Sequence, residues 1–282
     1  MQKIQTQIFY INLDRVPERR NFMEASLKRL GLKNNFQRFS AIDAADPNAL
    51  NNTNYKPGGW RPRWSLTLTE IACFESHRSL WKLIVEKKLS HVIIMEDDIF
   101  ISSDLSQTVL DIENSNVTYD ILRLDSCCQI HRYGASTEIN TTSVRPILQT
   151  VPSSACYMLS LAGAKKLLHG SYIYSDHLDD YIYAPRKNWT ALQVWPAIAV
   201  QGMFCKNDSI IHDHAVISNS ERTSIKSEIT ATNKGPLTYR AFKEIKRACA
   251  KLYLRIIGDR KIIKAGGVIG YAPLKSDLPA YK

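Results

Sequence analysis

The apolar run Val92-Ile93-Ile94-Met95, entered from His91, constrains the fold more than any other stretch of the chain. It shows no alternation of polar and apolar residues, so as a strand it must be covered on both faces. That is the position of an interior strand in a sheet flanked by helices. Gln7-Ile8-Phe9-Tyr10-Ile11-Asn12-Leu13 reads as a second buried strand. After it Pro17 opens a helix to about Leu30, with Phe22, Leu27 and Leu30 on one face and Gly31 as its stop. Phe36–Phe39 reads as a short strand, and the Asn-, Pro- and Gly-rich stretch Asp46–Arg63 as a long mobile loop. Thr67 and Glu70 form a capping box, behind which Ile71, Phe74, Trp81, Ile84 and Val85 recur at helical spacing. Asp120–Leu124 and Ala155–Leu159 are further strands, Ser160 caps a helix through Leu168 that Gly170 ends, and Gln193–Val200 is a last strand. This alternation predicts an α/β fold with a mostly parallel central sheet.

The chain has 282 residues, 44% of them apolar, enough for a full core, and a net charge of +10. The basic excess is local. Tyr239–Lys264 holds nine Lys/Arg against two acidic residues, net +7. The six cysteines form no CxxC or zinc-like spacing, the first residues lack a signal-peptide core, and no run reaches the ~20 apolar residues of a membrane span. The expectation is a cytoplasmic protein with free thiols.

Glu96-Asp97-Asp98 follows the buried strand directly. In open α/β sheets ligands sit beyond the strand carboxyl ends. Adjacent carboxylates repel, and a hard divalent cation such as Mn²⁺ or Mg²⁺, shared with a substrate's phosphates, offsets them. In extended backbone Glu96 and Asp98 point to one side and Asp97 to the other, so one of the pair can take the metal while the other steadies a ribose hydroxyl. A solvated acidic turn is the plain alternative, and the spacing alone suits a metal-dependent phosphohydrolase equally well.

Other segments carry more information. Ile11-Asn12-Leu13-Asp14-Arg15 with Pro17, Glu18, Arg19 and Arg20, then Ser40-Ala41-Ile42-Asp43, then Thr69–His77 with its Cys73-x-x-Ser76-His77, occur in order ahead of Leu89–Ile99. Met158-Leu159-Ser160 with Gly163–Leu168, Tyr174-Ser175-Asp176-His177 and Pro196–Gln201 with Ser209-Ile210-Ile211 follow. In this order the segments resemble glycosyltransferase family 25, which includes bacterial lipooligosaccharide galactosyltransferases and the collagen galactosyltransferases. Two positions depart from its pattern: Ala72 replaces a glycine, and Ser175 stands where valine is usual. The resemblance covers about residues 7–222 and implies a GT-A-like, Rossmann-type fold, a UDP-sugar donor, most often UDP-galactose, a divalent metal and inversion at the anomeric carbon.

On that resemblance Ile11, Asn12 and Leu13 would cradle the nucleobase, Arg19 would meet the diphosphate, and Ala41 and Asp43 would contact uridine. The bland alternatives are a surface helix arginine at Arg19 and a turn cap at Asp43. Ser76 and His77 are either site-supporting or packed, while Phe74 and Trp81 belong to the core. Asp98 leads as metal ligand with Glu96 as partner, Asp97 joins the donor side, and His212, ahead of His214, would add a late ligand. An inverting transfer needs a base for the acceptor hydroxyl. Asp176 leads, with Asp179 and Asp180 in reserve; a capping aspartate is the competing role.

Beyond Gly235-Pro236 the chain changes character, setting residues 1–235 as the catalytic domain and 236–282 as a basic amphipathic extension. Phe242, Ile245, Cys249, Leu252 and Ile256 alternate with Lys243, Lys246, Arg247, Lys251 and Arg255. Such a helix suits an anionic membrane surface, at the inner face of a bacterial inner membrane if the acceptor is a lipid-linked oligosaccharide. Packing on the catalytic domain, or on a second subunit in a homodimer, are the alternatives. Nucleic acid fits poorly, because no stacking aromatics or binding motif accompany the charge. Rival functions are a phosphohydrolase, which lacks a second acidic cluster for a two-metal site, and a non-catalytic sugar-nucleotide-binding or membrane adaptor protein.

Overall fold

The computed structural model describes residues 4–46, 48–60, 63–206 and 234–282. The chain opens with β1 (Gln7–Asn12), α1 (Pro17–Arg29), β2 (Phe36–Ser40), α2 (Leu68–Glu86), β3 (His91–Glu96), β4 (Ile99–Ile101) and α3 (Leu105–Glu113). A β-rich middle follows: β5 (Ile121–Arg123), β6 (Asp125–Ser126), β7 (His131–Tyr133), β8 (Thr137–Ile139), β9 (Thr142–Pro146) and β10 (Cys156–Ser160). Then come α4 (Leu161–Gly170), α5 (Leu178–Ile182), β11 (Ala191–Trp195) and β12 (Ala199–Gln201). The last elements are α6 (Leu237–Tyr253), α7 (Asp259–Lys264) and β13 (Val268–Gly270).

Eight strands form one sheet in the order β2-β1-β3-β10-β5-β11-β9-β8. β1 runs parallel to β2 and β3, and β11 parallel to β5, but β10 is antiparallel to both its neighbours. The sheet is therefore mixed rather than mostly parallel. The reason lies in the connection between β5 and β10, which is made of short strands and holds no helix to cross the sheet and reset the direction.

Strand alternation divides the core into two layers. Ile8, Tyr10, Ile93, Met95 and Met158 face Met23 and Leu27 of α1 and Val109 and Ile112 of α3. Phe9, Val92, Ile94, Tyr157 and Leu159 face Phe74, Trp81 and Ile84 of α2 and Ala164 and Leu167 of α4. The apolar run of β3 is thus covered on both faces, and the α/β layering is Rossmann-like. Local signals start the helices. The Thr67 Oγ1 accepts from the Glu70 amide at 3.3 Å while the Glu70 carboxylate accepts from the Thr67 amide at 3.0 Å. The Ser160 hydroxyl accepts from the Gly163 amide at 3.0 Å.

Three expectations are corrected. The strand foreseen over 193–200 breaks at Pro196, which has no amide proton for the ladder, so β11 stays in the large sheet. β12 instead joins a second sheet, β4-β12-β6. The 46–63 stretch is pinned: Asn54 donates its amide to Glu75 at 3.0 Å, and Lys56 donates to the Tyr174 carbonyl at 2.8 Å. The end of the chain is no free extension either. β13 pairs with β7, Asp259 meets Arg132 at 2.6 Å, and Asp277 accepts from the Ser103 amide at 2.7 Å. Ala272 and Leu278 supply the buried apolar surface for this return.

Gly163 sits where α4 crosses the start of β5, and a Cβ there would lie 2.2 Å from the Asp120 carbonyl oxygen. Gly163→Ala should therefore destabilise the chain by about 2–3 kcal/mol through overpacking, although alanine favours helix by ~1 kcal/mol. Urea unfolding checks this, and a stabilised variant would refute the close contact.

Candidate active site

The acidic run lies where the carboxyl ends of β1 and β3 adjoin, Ile11 being in register with Glu96. Asp97 turns to the α1 side. There it accepts from Asn12 Nδ2 at 2.7 Å and from the Arg19 guanidinium at 2.8 Å, all three side chains being buried. Burial pushes the Asp97 carboxyl up to about 6, against the opposing pull of the Arg19 charge. Asn12 is committed as well, giving its other amide proton to Val16 O at 3.1 Å and accepting from Arg38 at 2.9 Å. These three residues brace the end of β1. Arg19 was expected at a diphosphate and Asn12 and Asp97 beside the nucleotide; among the described contacts they hold one another, opposite charges pairing in a low-dielectric interior.

Glu96 and Asp98 converge on the other side. Gln201 Nε2 donates to Glu96 Oε2 at 3.1 Å and to the two Asp98 oxygens at 3.0 and 3.1 Å. The β4–β12 pairing places that amide, and the Gly202 amide donates to the Asp98 carbonyl at 2.8 Å. The two carboxylates thus lie around one point, in a hard oxygen donor set of the kind Mn²⁺ and Mg²⁺ take. Glu96, its side chain 23% exposed, reaches the surface, and Ser154 Oγ steadies it at 3.1 Å.

A second donor set, Cys73, His77 and Glu96, lies within 4.8 Å of itself. Trp81 Nε1 donates to the Tyr157 hydroxyl at 3.1 Å, and the same hydroxyl lies 2.8 Å from His77 Nδ1. The other ring nitrogen, Nε2, is 3.8 Å from Glu96 Oε1. Complete burial pushes His77 down to about 3, the Asp179 charge opposing, so it faces Glu96 as a neutral dipole.

The loop before β10 ties this centre to α5. Ser154 holds Glu96, while the Ser153 amide donates to Asp179 Oδ2 at 2.9 Å and the Ser153 hydroxyl donates to Asp125. Asp125 pairs with Arg123 at 3.1 Å, both fully buried, and Arg123 also donates to the Pro152 carbonyl at 2.6 Å. Burial pushes Asp125 up to about 6 against the Arg123 charge. Asp179 is therefore the member of the Asp176, Asp179 and Asp180 group tied to the acidic centre. Asp180 lies on the outer side, 3.9 Å from Arg63, and Asp176 lies where its charge reaches Tyr181 and Tyr239. His177, and not an aspartate, caps α5, accepting from the Asp179 amide at 3.4 Å.

The remaining expected residues frame the site. Ile11 is core, and Leu13 and Ala41 are half-buried. The Ser76 hydroxyl accepts from the Ile42 amide at 2.8 Å and donates to Ala72 O at 2.7 Å, fixing the strand end that carries Ala41. Asp43 closes a turn on the Ala45 amide at 2.9 Å and pairs with Arg15 at 2.7 Å. His212 and His214 lie outside the described residues. Sequence reasoning missed the site roles of Gln201, Ser154, Ser153, Asp125 and Tyr157. Only Gln201 carried a signal, as the last residue of the Pro196–Gln201 segment.

Fold and site together define a Rossmann-like α/β protein with an acidic centre at its strand carboxyl ends. The chain belongs to the family described as "Glycosyltransferase family 25 (LPS biosynthesis protein)", whose sequence model matches residues 5–182. A "Glycosyltransferase 25 family member" of Drosophila pseudoobscura pseudoobscura is 30% identical over 65% of this chain and 31% of its own length. The human "Inactive glycosyltransferase 25 family member 3" is 31% identical, over 57% of this chain and 28% of its own. The mouse "Procollagen galactosyltransferase 2" is 26% identical, over 57% and 27% respectively. The chain thus spans under a third of the length of these relatives.

The neutral His77 has a stability signature. Its folded pKa lies below that of the unfolded chain, so stability falls as pH drops below about 6.5, where only the unfolded state takes up the proton. The stability lead of the wild type over His77→Gln, measured by urea unfolding, should shrink by about 2 kcal/mol between pH 7 and pH 5. An unchanged lead would mean that folded His77 titrates normally.

Proposed function

We propose that the chain is an inverting hexosyltransferase of GT-A-like fold. It takes a hexosyl group, galactose foremost, from a UDP-sugar and passes it to an oligosaccharide acceptor of a bacterial lipooligosaccharide or lipopolysaccharide. The observation that carries this reading is the convergence of Glu96 and Asp98 on Gln201 at the strand ends. Family membership supports glycosyl transfer, and the relative named for procollagen supports galactose. The matching description supports the lipopolysaccharide acceptor.

Glu96 and Asp98 would hold Mn²⁺ or Mg²⁺, with Gln201 setting their separation. When bound, the cation neutralises the departing diphosphate. The acceptor hydroxyl gives up its proton to a carboxylate as its oxygen attacks the anomeric carbon from the face opposite UDP. Asp179 takes this role ahead of Asp176 and Asp180, because the Ser153–Ser154 loop links it to Glu96. Its Oδ2 is held by the Ser153 amide, which orients the carboxylate.

The word "Inactive" in the human relative's name supports a second reading, a protein that binds sugar nucleotide without turning it over. UDP release from UDP-galactose separates the two. For a transferase it requires both Mn²⁺ and an acceptor oligosaccharide. Asp179→Asn should lower kcat by ~10²–10⁴-fold with little change in donor KM, as expected of a lost general base. Donor binding with no release for any acceptor would establish the second reading, and full activity in Asp179→Asn would remove Asp179 as the base.

A further inference from the structure

α6 presents a surface that sugar transfer does not use. At 100° per residue, Ala241, Phe242, Ile245, Ala248, Cys249 and Leu252 share one side of the helix, and Arg240, Lys243, Lys246 and Arg247 the other. The apolar side faces outward: Phe242 is 52% exposed, Ile245 64% and Leu252 59%. Among the described residues, the ring contacts between α6 and the body come from its start. Tyr239 is buried against Trp60 and Trp64, with ring centroids 5.9 and 5.2 Å away, and Phe242 meets the edge of Trp60 at 5.1 Å. Trp60 is itself 62% exposed. An apolar strip therefore runs along the outside from Trp60 through Phe242 and Ile245 to Leu252.

A continuous exposed strip of this kind marks a contact surface, and charge decides what fits it. Residues 239–264 carry nine basic and two acidic side chains. A second copy of the chain would bring the same positive charge against it. A soluble polyanion would satisfy the lysines and arginines but leave Phe242, Ile245 and Leu252 in water. An anionic lipid surface meets both needs, with phosphates for the basic side and the acyl boundary for the apolar side.

We propose that α6 is an in-plane anchor that seats the protein on anionic lipid, with its Phe242–Ile245–Leu252 face in the acyl boundary and Trp60 at headgroup depth. No described helix is long and apolar enough to cross a membrane, so the helix lies on the surface. Its first turns adjoin the α5 region: the Lys243 charge acts on Asp180, and the Asp176 charge on Tyr239. If the proposed transferase reading holds, the bilayer then meets the acceptor side of the site; the lipid contact itself does not depend on that reading.

Co-sedimentation of the full chain with vesicles tests the anchor. Binding to vesicles containing about a quarter phosphatidylglycerol should exceed binding to pure phosphatidylcholine by at least ~10-fold and weaken as salt rises. Phe242→Glu with Ile245→Glu and Leu252→Glu should reduce it by ~100-fold or more. The melting temperature in lipid-free buffer should stay unchanged for Ile245→Glu with Leu252→Glu alone, because those two side chains are already mostly in water. Lys246→Gln with Arg247→Gln should lessen the anionic preference while leaving the fold intact. Four results would overturn the proposal. One is equal binding to neutral and anionic vesicles, and another is undiminished binding by the triple variant. A third is a concentration-dependent dimer that the triple variant dissolves, since a second copy would then cover the face. The last is a lower lipid-free melting temperature in the Ile245→Glu, Leu252→Glu variant, which would mean that the chain itself covers the face.

Discussion

Three successive carboxylates at the end of a buried strand must be kept from repelling one another, and the fold is arranged around that need. Asp97 and Asp98 form the turn after β3, which sends Asp97 to one side, where Arg19 and Asn12 hold it. Glu96 and Asp98 stay together on the other, each within 3.1 Å of the same Gln201 nitrogen. Like charges this close repel by a few kcal/mol, roughly 4 kcal/mol at ~4 Å for an effective dielectric near 20. One amide offsets part of this, and a cation would offset it all.

A second buried pair sets the distance from this centre to the rest of the site. Arg123 and Asp125 are costly to bury, and replacing one alone would leave a charge worth ~3–5 kcal/mol of destabilisation. What they hold is the Pro152–Ser154 turn, where Ser153 takes up the left-handed φ of 75° that its two hydrogen bonds enforce. Ser153 faces Asp179 and Ser154 faces Glu96. Two adjacent residues therefore link the candidate base to the candidate metal centre, and His77, fixed by Tyr157, closes the wall behind Glu96.

Local signals in the sequence were the reliable ones. Caps at Thr67 and Ser160 marked α2 and α4, because these depend on neighbours within a few residues, and the split of Glu96 and Asp98 from Asp97 holds although a turn, not extended strand, makes it. Long-range partners were not legible. Arg19 reads as a helix arginine until Asp97, 78 residues on, is folded against it, and Gln201 reads as a strand end until β4 pairs with β12. The antiparallel β10 escaped because direction is set by the connection rather than by the strand. The return of residues 259–282 escaped because their basic charge outweighed the few apolar residues that bury.

In the proposed transferase, Glu96 and Asp98 act as one oxygen site that a cation and a nucleotide share. Electron paramagnetic resonance of Mn²⁺ titrated into the full chain with UDP tests it most directly. The account predicts that the free-ion signal is lost at stoichiometric protein, that UDP strengthens the effect, and that Asp98→Ala abolishes it. Mn²⁺ binding undiminished in Asp98→Ala and in Glu96→Ala would contradict it.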